Sequence, residues 1–134
     1  MSAPTDSLLL FHTLRLAASI DGDFAPEEGA IVRNLLATLP DFADVDLDAH
    51  AQASSDLARE YGGLIASAEA LVKLSSPLMK ARAYLLAVEV VCVSEGLNAV
   101  ERDLLTMLRQ MLEVERLTAE HIHEVVGLKY GQKF

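Results

Sequence analysis

Tryptophan is absent from this chain, and four Phe and three Tyr are the only aromatics among its 134 residues. A core built on strand-favouring rings is therefore excluded, and the abundant Ala, Leu and Val point to an aliphatic, helix-compatible interior. A single cysteine, Cys92, rules out an internal disulfide and suits a reducing compartment. It lies in the apolar run Val90-Val91-Cys92-Val93 with no base nearby to form a thiolate, so it reads as a small core residue. Basic residues are scarce: 11 Lys and Arg face 20 Asp and Glu, for a net charge of -9. Such a field repels phosphate backbones and anionic lipid, which argues against nucleic acid as a partner and in favour of a cation or a basic protein. There is no Lys or Arg before Arg15, so the positive region of a secretory signal is missing. The most apolar stretch, Ala83 to Val93, is broken by Glu89 and falls short of the ~20 residues needed to cross a bilayer. A cytoplasmic protein with no membrane insertion is expected.

What is present is one domain's worth of chain, able to remove roughly two thirds of its unfolded surface from water. The acids are uneven: residues 1–60 carry eleven acids and three bases, residues 61–134 nine acids and eight bases. Apolar spacing and punctuation predict about seven helices. The first starts near Thr5 or Asp6 and runs to Ile20, ended by Asp21-Gly22, and Pro26 opens the second, with Ile31, Val32, Leu35, Leu36 and Leu39 on one face. Asp41, Asp44, Asp46 and Asp48 alternate with Phe42, Val45 and Leu47. Aspartate is a poor strand former and a good cap, so this is read as an acidic loop before a helix from Leu47 to Tyr61.

Gly62-Gly63 is a break, Leu64 to Leu74 reads as a shorter helix, and Ser75-Ser76-Pro77 opens a central helix to about Val93, apolar nearly all round. Asn98 caps a helix with Val100, Leu104, Leu105, Leu108 and Leu112 as its stripe. Thr118 caps the last, which turns Ile122, Val125 and Val126 inward, and the tail at 130–134 is expected to be loose.

A shift of 73 residues lays Ala17 to Leu39 over Val90 to Leu112 without a gap, pairing Ile20 with Val93, Phe24 with Leu97, Glu28 with Glu101 and Ile31 with Leu104. Both segments read as apolar helix, acid-and-glycine turn, one apolar residue, then a glutamate opening an amphipathic helix. The expected architecture is a single all-α domain with an internal pseudo-twofold duplication, its halves about 8–40 and 77–112.

The two turns carry a resemblance. Ala17-Ala18-Ser19-Ile20-Asp21-Gly22-Asp23-Phe24-Ala25-Pro26-Glu27-Glu28, with its weaker copy Cys92-Val93-Ser94-Glu95-Gly96-Leu97-Asn98-Ala99-Val100-Glu101, resembles the tellurite-resistance TerB-like family over residues 8 to 128. The resemblance implies a multihelical pseudo-twofold module associated with tellurite and stress responses, without enzymatic activity, that binds metal ions such as calcium. Asp21, Asp23 and Glu28 match its metal-binding pattern. Glu95 and Glu101 match in part, because Glu95, or Ser94 in the gapless register, stands where the family has aspartate.

Read from the residues alone, Asp21, Asp23, Glu27 and Glu28 repel one another unless something neutralises them. Turn amides and the dipole of the second helix are one answer. A hard cation such as calcium is the other. Neither acidic series is an EF-hand: counted from Asp21, positions five and twelve are Ala25 and Val32, and counted from Asp44, positions six and twelve are Ala49 and Ser55. Glu120 and His123 have the Glu-x-x-His spacing of di-iron bundles but no second pair, and His12 and His50 stand alone, so the histidines are read as surface residues. Ser54, Ser55, Ser75 and Ser76 lack a nucleophile-elbow context. The functional expectation is a non-enzymatic module that binds a divalent cation, a basic partner protein, or both, through its acidic face. The alternative is a purely structural helical interaction domain with no metal site.

Overall fold

In a computed structural model the backbone is described for residues 4–19, 26–94 and 97–134, and the side chains for the same ranges without 26–28 and 94. Six α-helices form: α1 (Asp6–Ala18), α2 (Pro26–Ala37), α3 (Leu47–Glu60), α4 (Pro77–Ser94), α5 (Ala99–Met111) and α6 (Arg116–Tyr130). Two 3-10 segments, Pro40–Phe42 and Ala66–Lys73, complete the set, and no strand occurs among the described residues. The all-α expectation holds.

The helix starts follow from side chains that satisfy exposed amides. Thr5 accepts from the Leu8 amide at 3.2 Å, Ser76 from Met79 at 3.1 Å, and Asn98 from Glu101 at 2.9 Å. Gly62 and Gly63 end α3: with φ of 89° and 149°, their amides reach back to the carbonyls of Arg59 and Ala58. The same pair of bonds ends α5, where Glu113 holds a φ of 54° that glycine would adopt more readily.

Two helices are central. α4 is buried at Ala83, Tyr84, Leu86 to Val88 and Val90 to Cys92, as its nearly all-round apolar character predicts. α1 is buried almost as fully, with Leu9, Leu10, Leu14 and Leu16 at 0% exposure. Each such leucine is worth about 2 kcal/mol in removed apolar surface. The two central helices pack on each other through their longest contact, α2 packs on both, α3 covers α1, and α5 and α6 cover α4.

Several expectations are corrected. The helix expected at 64–74 is a 3-10 helix over Ala66–Lys73: the buried positions Ala68, Leu71 and, just past its end, Leu74, with Ser67 and Ala70 beside them, recur every three residues, the 3-10 period. Val100 is half exposed, because Glu101, three and four residues before Leu104 and Leu105, heads the buried stripe of α5 instead. α6 starts at Arg116, two residues before Thr118, and its inward face is Ala119, Ile122 and Val126. Val125 sits about 100° around the helix from Val126 and is exposed. The tail expected to be loose folds back on α6, where the Gln132 amide bonds the Gly127 carbonyl at 2.9 Å and the Phe134 ring stacks on His123 at 4.5 Å.

Candidate functional site

The acidic loop between α2 and α3 is braced rather than free. The Arg82 guanidinium forks onto Asp41 with bonds of 3.0 and 2.6 Å, and this contact holds the Asp41 carboxyl below its ordinary range. Asp46 accepts from the amides of Asp48 and Ala49 at 3.0 and 3.2 Å, capping α3. Asp48 accepts from Arg33 at 3.0 Å while its side chain stays 88% exposed, and Asp44 is exposed beside them. Phe42 anchors the loop in the core, with Val45 and Leu47 packed against it. No group of three His, Cys, Asp or Glu side chains gathers in metal-holding geometry among the described residues.

Of the five acids predicted to hold metal, Asp21, Asp23 and Glu95 lie outside the described residues. Glu28 lies in the first turn of α2, and its side chain is likewise outside the description. Glu101 is described: it sits in the first turn of α5 and is only 6% exposed. Its charge reaches α4, where burial first, then Glu101 and Glu89, push the Cys92 thiol up, so this buried cysteine stays protonated.

The histidine expectation fails at His12. Its ring is fully buried, with Nδ1 2.6 Å from the Ser54 hydroxyl of α3 and Nε2 2.7 Å from the Ser67 hydroxyl of the second 3-10 segment. Ser67 donates to the Leu64 carbonyl at 2.5 Å, so it must accept from Nε2–H. Nδ1 then accepts from Ser54, which in turn accepts from Arg15 at 3.2 Å. Each hydroxyl donates once, the imidazole is neutral, and burial, reinforced by the Arg15 charge, lowers its pKa to about 4. The arrangement superficially resembles a serine-histidine pair, but Ser54, Ser67 and His12 are all at 0% exposure, so no substrate reaches them. It pins three elements together.

No protein-family model matches this chain, and no curated protein or solved structure matches it either. The TerB-like resemblance therefore rests on the two turn motifs, most of whose acids lie outside the described residues.

The surface offers a second feature that spacing alone did not reveal. α6 presents Leu117, Val125 and Leu128 at 62, 63 and 79% exposure, within a sector of about 80° on one side of the helix. Two further histidines depart from the surface expectation. His50 is half-buried between the edges of Phe11 and Phe42, and His123 bonds the Tyr84 hydroxyl through Nε2 at 2.6 Å. The signal available in the sequence was the tyrosine itself, a polar tip inside the apolar run of α4 that needs a partner when buried. No described helix is long and apolar enough to cross a membrane.

Proposed function

We propose that this chain is a non-enzymatic, TerB-like helical module that works by binding a partner protein with a basic surface through its acidic side. The observation that carries this reading is the bracing of the loop at 41–48. Asp41, Asp46 and Asp48 are tied to Arg82, to the α3 amides and to Arg33, so the loop backbone is held while Asp44 and Asp48 remain open to solvent. A fixed array of exposed acids loses little entropy on meeting complementary charge and speeds encounter with a basic partner. The non-enzymatic part is supported by the sealing of His12, Ser54 and Ser67, whose hydrogen bonds are used within the core.

The duplication of residues 8–40 in 77–112 belongs to the same reading. It is supported by α1 packing on α2 and α4 on α5, with α1 and α4 in contact at the centre. The divalent-cation form of the proposal is favoured by Glu101, a carboxylate buried in the first turn of α5 at the position paired with Glu28. Calcium, which takes oxygen ligands in irregular geometry, is the cation that such a site would hold. The link to tellurite and stress resistance comes with the resemblance. The alternative, a structural interaction domain with no metal site, is favoured by the apolar row on α6.

Affinity capture with the intact chain separates these readings. Asp44→Lys with Asp48→Lys should abolish recovery of a basic partner, whereas Val125→Ser with Leu128→Ser should leave it intact. The reverse pattern would overturn the acidic-face reading in favour of the α6 row. Calorimetric titration with calcium tests the cation form: heat and a raised melting temperature, both lost in Asp21→Ala, are expected. No response at millimolar calcium would remove it.

A further inference from the structure

Where α4, α5 and α6 meet, a pocket of about 280 Å³ opens beside the Tyr84–His123 pair. Arg102 and Arg109 enter it from α5, seven residues apart and so on one face about two turns from each other. Leu105 forms an apolar wall between them, and Phe134, stacked flat on His123 with the ring planes 4° apart, forms another. Among the described residues, no acidic side chain lines this pocket. Glu120, the acid whose charge acts on His123, is held by Arg116 at 3.0 Å, and Glu89 on α4 by Lys129 at 3.1 Å. Neither Arg102 nor Arg109 forms an ion pair with a described residue, whereas Arg33, Arg59, Arg82 and Arg116 all do. In a chain of net charge -9, two such cations lining one concavity stand out against the acidic balance of the whole molecule.

We propose that this pocket binds a small organic anion, a carboxylate or phosphate head on a body about one aromatic ring in size, with Arg102 and Arg109 holding the head and Leu105 and Phe134 flanking the body. The volume suits a body of this size: a closed cavity of roughly 150 Å³ accepts benzene, and about 280 Å³ seats a ring with a charged head. Guanidinium groups favour planar or tetrahedral oxyanions through paired N–H donors. The Tyr84–His123 pair adds a donor that can be turned. With His123 Nε2–H donating to the tyrosine oxygen, the Tyr84 hydroxyl is free to donate into the pocket. Burial, then the Arg109 charge, lower the His123 pKa, with Glu120 opposing, and burial raises that of Tyr84 to about 12. Both groups are thus neutral near pH 7, and an anion that offsets Arg109 should raise the His123 pKa. This site stands on its own geometry and does not depend on the acidic-face reading.

The test is NMR titration of the intact chain with benzoate, phenyl phosphate, inorganic phosphate and benzylamine, following the His123 and Tyr84 rings. Saturable shifts with benzoate or phenyl phosphate at millimolar concentration are expected, together with an upward move of the His123 titration, and whichever of the two binds tighter identifies the head group. Arg109→Gln and Arg102→Gln should each weaken binding about tenfold or more, while Lys73→Gln, on another part of the surface, leaves it unchanged. The proposal is overturned by no saturable response to either ring anion, by equal binding of benzylamine, or by inorganic phosphate binding as tightly as phenyl phosphate. Undiminished binding in both folded arginine variants would overturn it as well.

Discussion

His12 is the residue at which local sequence and tertiary structure part most clearly. Its partners lie 42 and 55 positions away, on α3 and the second 3-10 segment, so no spacing rule brings the three together. A neutral imidazole buried with a folded-state pKa near 4, against an ordinary value of 6.5, makes a definite statement about stability. Above pH 6.5 both folded and unfolded forms are neutral and the group contributes no pH dependence. As pH falls below 6.5 the unfolded chain takes up a proton that the folded chain refuses, so stability declines until about pH 4, by up to about 3 kcal/mol. Urea unfolding across this range should show that slope, and His12→Gln, which keeps one donor and one acceptor, should be flatter by the same amount. Parallel profiles would mean that the ring is not held neutral by the core. Glu113 makes the opposite kind of prediction. Its left-handed φ of 54° at the end of α5 is strained for any side chain, so Glu113→Gly should raise stability by about 0.5 to 1 kcal/mol in the same measurement.

At the scale of elements, what was legible is what depends on local chemistry. Thr5, Asp46 and Asn98 announced three helix starts, Gly62 and Gly63 an end, and the nearly all-round apolar character of α4 its central place. What was not legible depended on which neighbour a face meets. Val100 and Val125 look like core residues by type, yet Glu101 and Val126 occupy the inward positions beside them, a choice of about 100° of rotation that hydrophobicity alone does not make. The candidate metal residues divide similarly: the burial of Glu101 follows from the stripe of α5, whereas Asp21, Asp23 and Glu95 belong to turns outside the described residues. Packing around α4 leads to a third prediction. Ala87 of α4 has no exposed surface, so Ala87→Leu forces three extra carbons into a filled space and should cost about 1 to 3 kcal/mol, read as a lower urea midpoint. At the other end of the fold, a Cβ on Gly127 would lie 2.7 Å from the Gln132 carbonyl oxygen, so the tail and this residue cannot both keep their places after substitution. Gly127→Ala should therefore release Phe134 from His123, seen as loss of the ring-current shift on the imidazole while the helical content of the domain is retained.

The whole molecule carries its charge lopsidedly, with most of the excess acid in the first sixty residues. Five described ion pairs neutralise only part of it, and all but the Arg82–Asp41 fork include a side chain more than half exposed, so they contribute little individually. Self-repulsion within that half should therefore destabilise the fold at low ionic strength, where the Debye length exceeds the distance between neighbouring helices. Raising sodium chloride from about 0.01 to 0.15 M shortens that length from ~30 to ~8 Å and should raise the melting temperature. Screening is blind to ion identity beyond valence, whereas a coordinating site is not. Calcium and magnesium at matched ionic strength separate the two, because magnesium demands near-ideal octahedral geometry and gives up its waters reluctantly, while calcium accepts irregular oxygen cages. If the acids around Asp21 bind a cation, calcium should raise the melting temperature beyond magnesium, and the excess should vanish in Asp21→Ala. Equal curves for the two ions would assign the effect to screening, leaving the acidic half as a surface for a basic protein and not a seat for a metal.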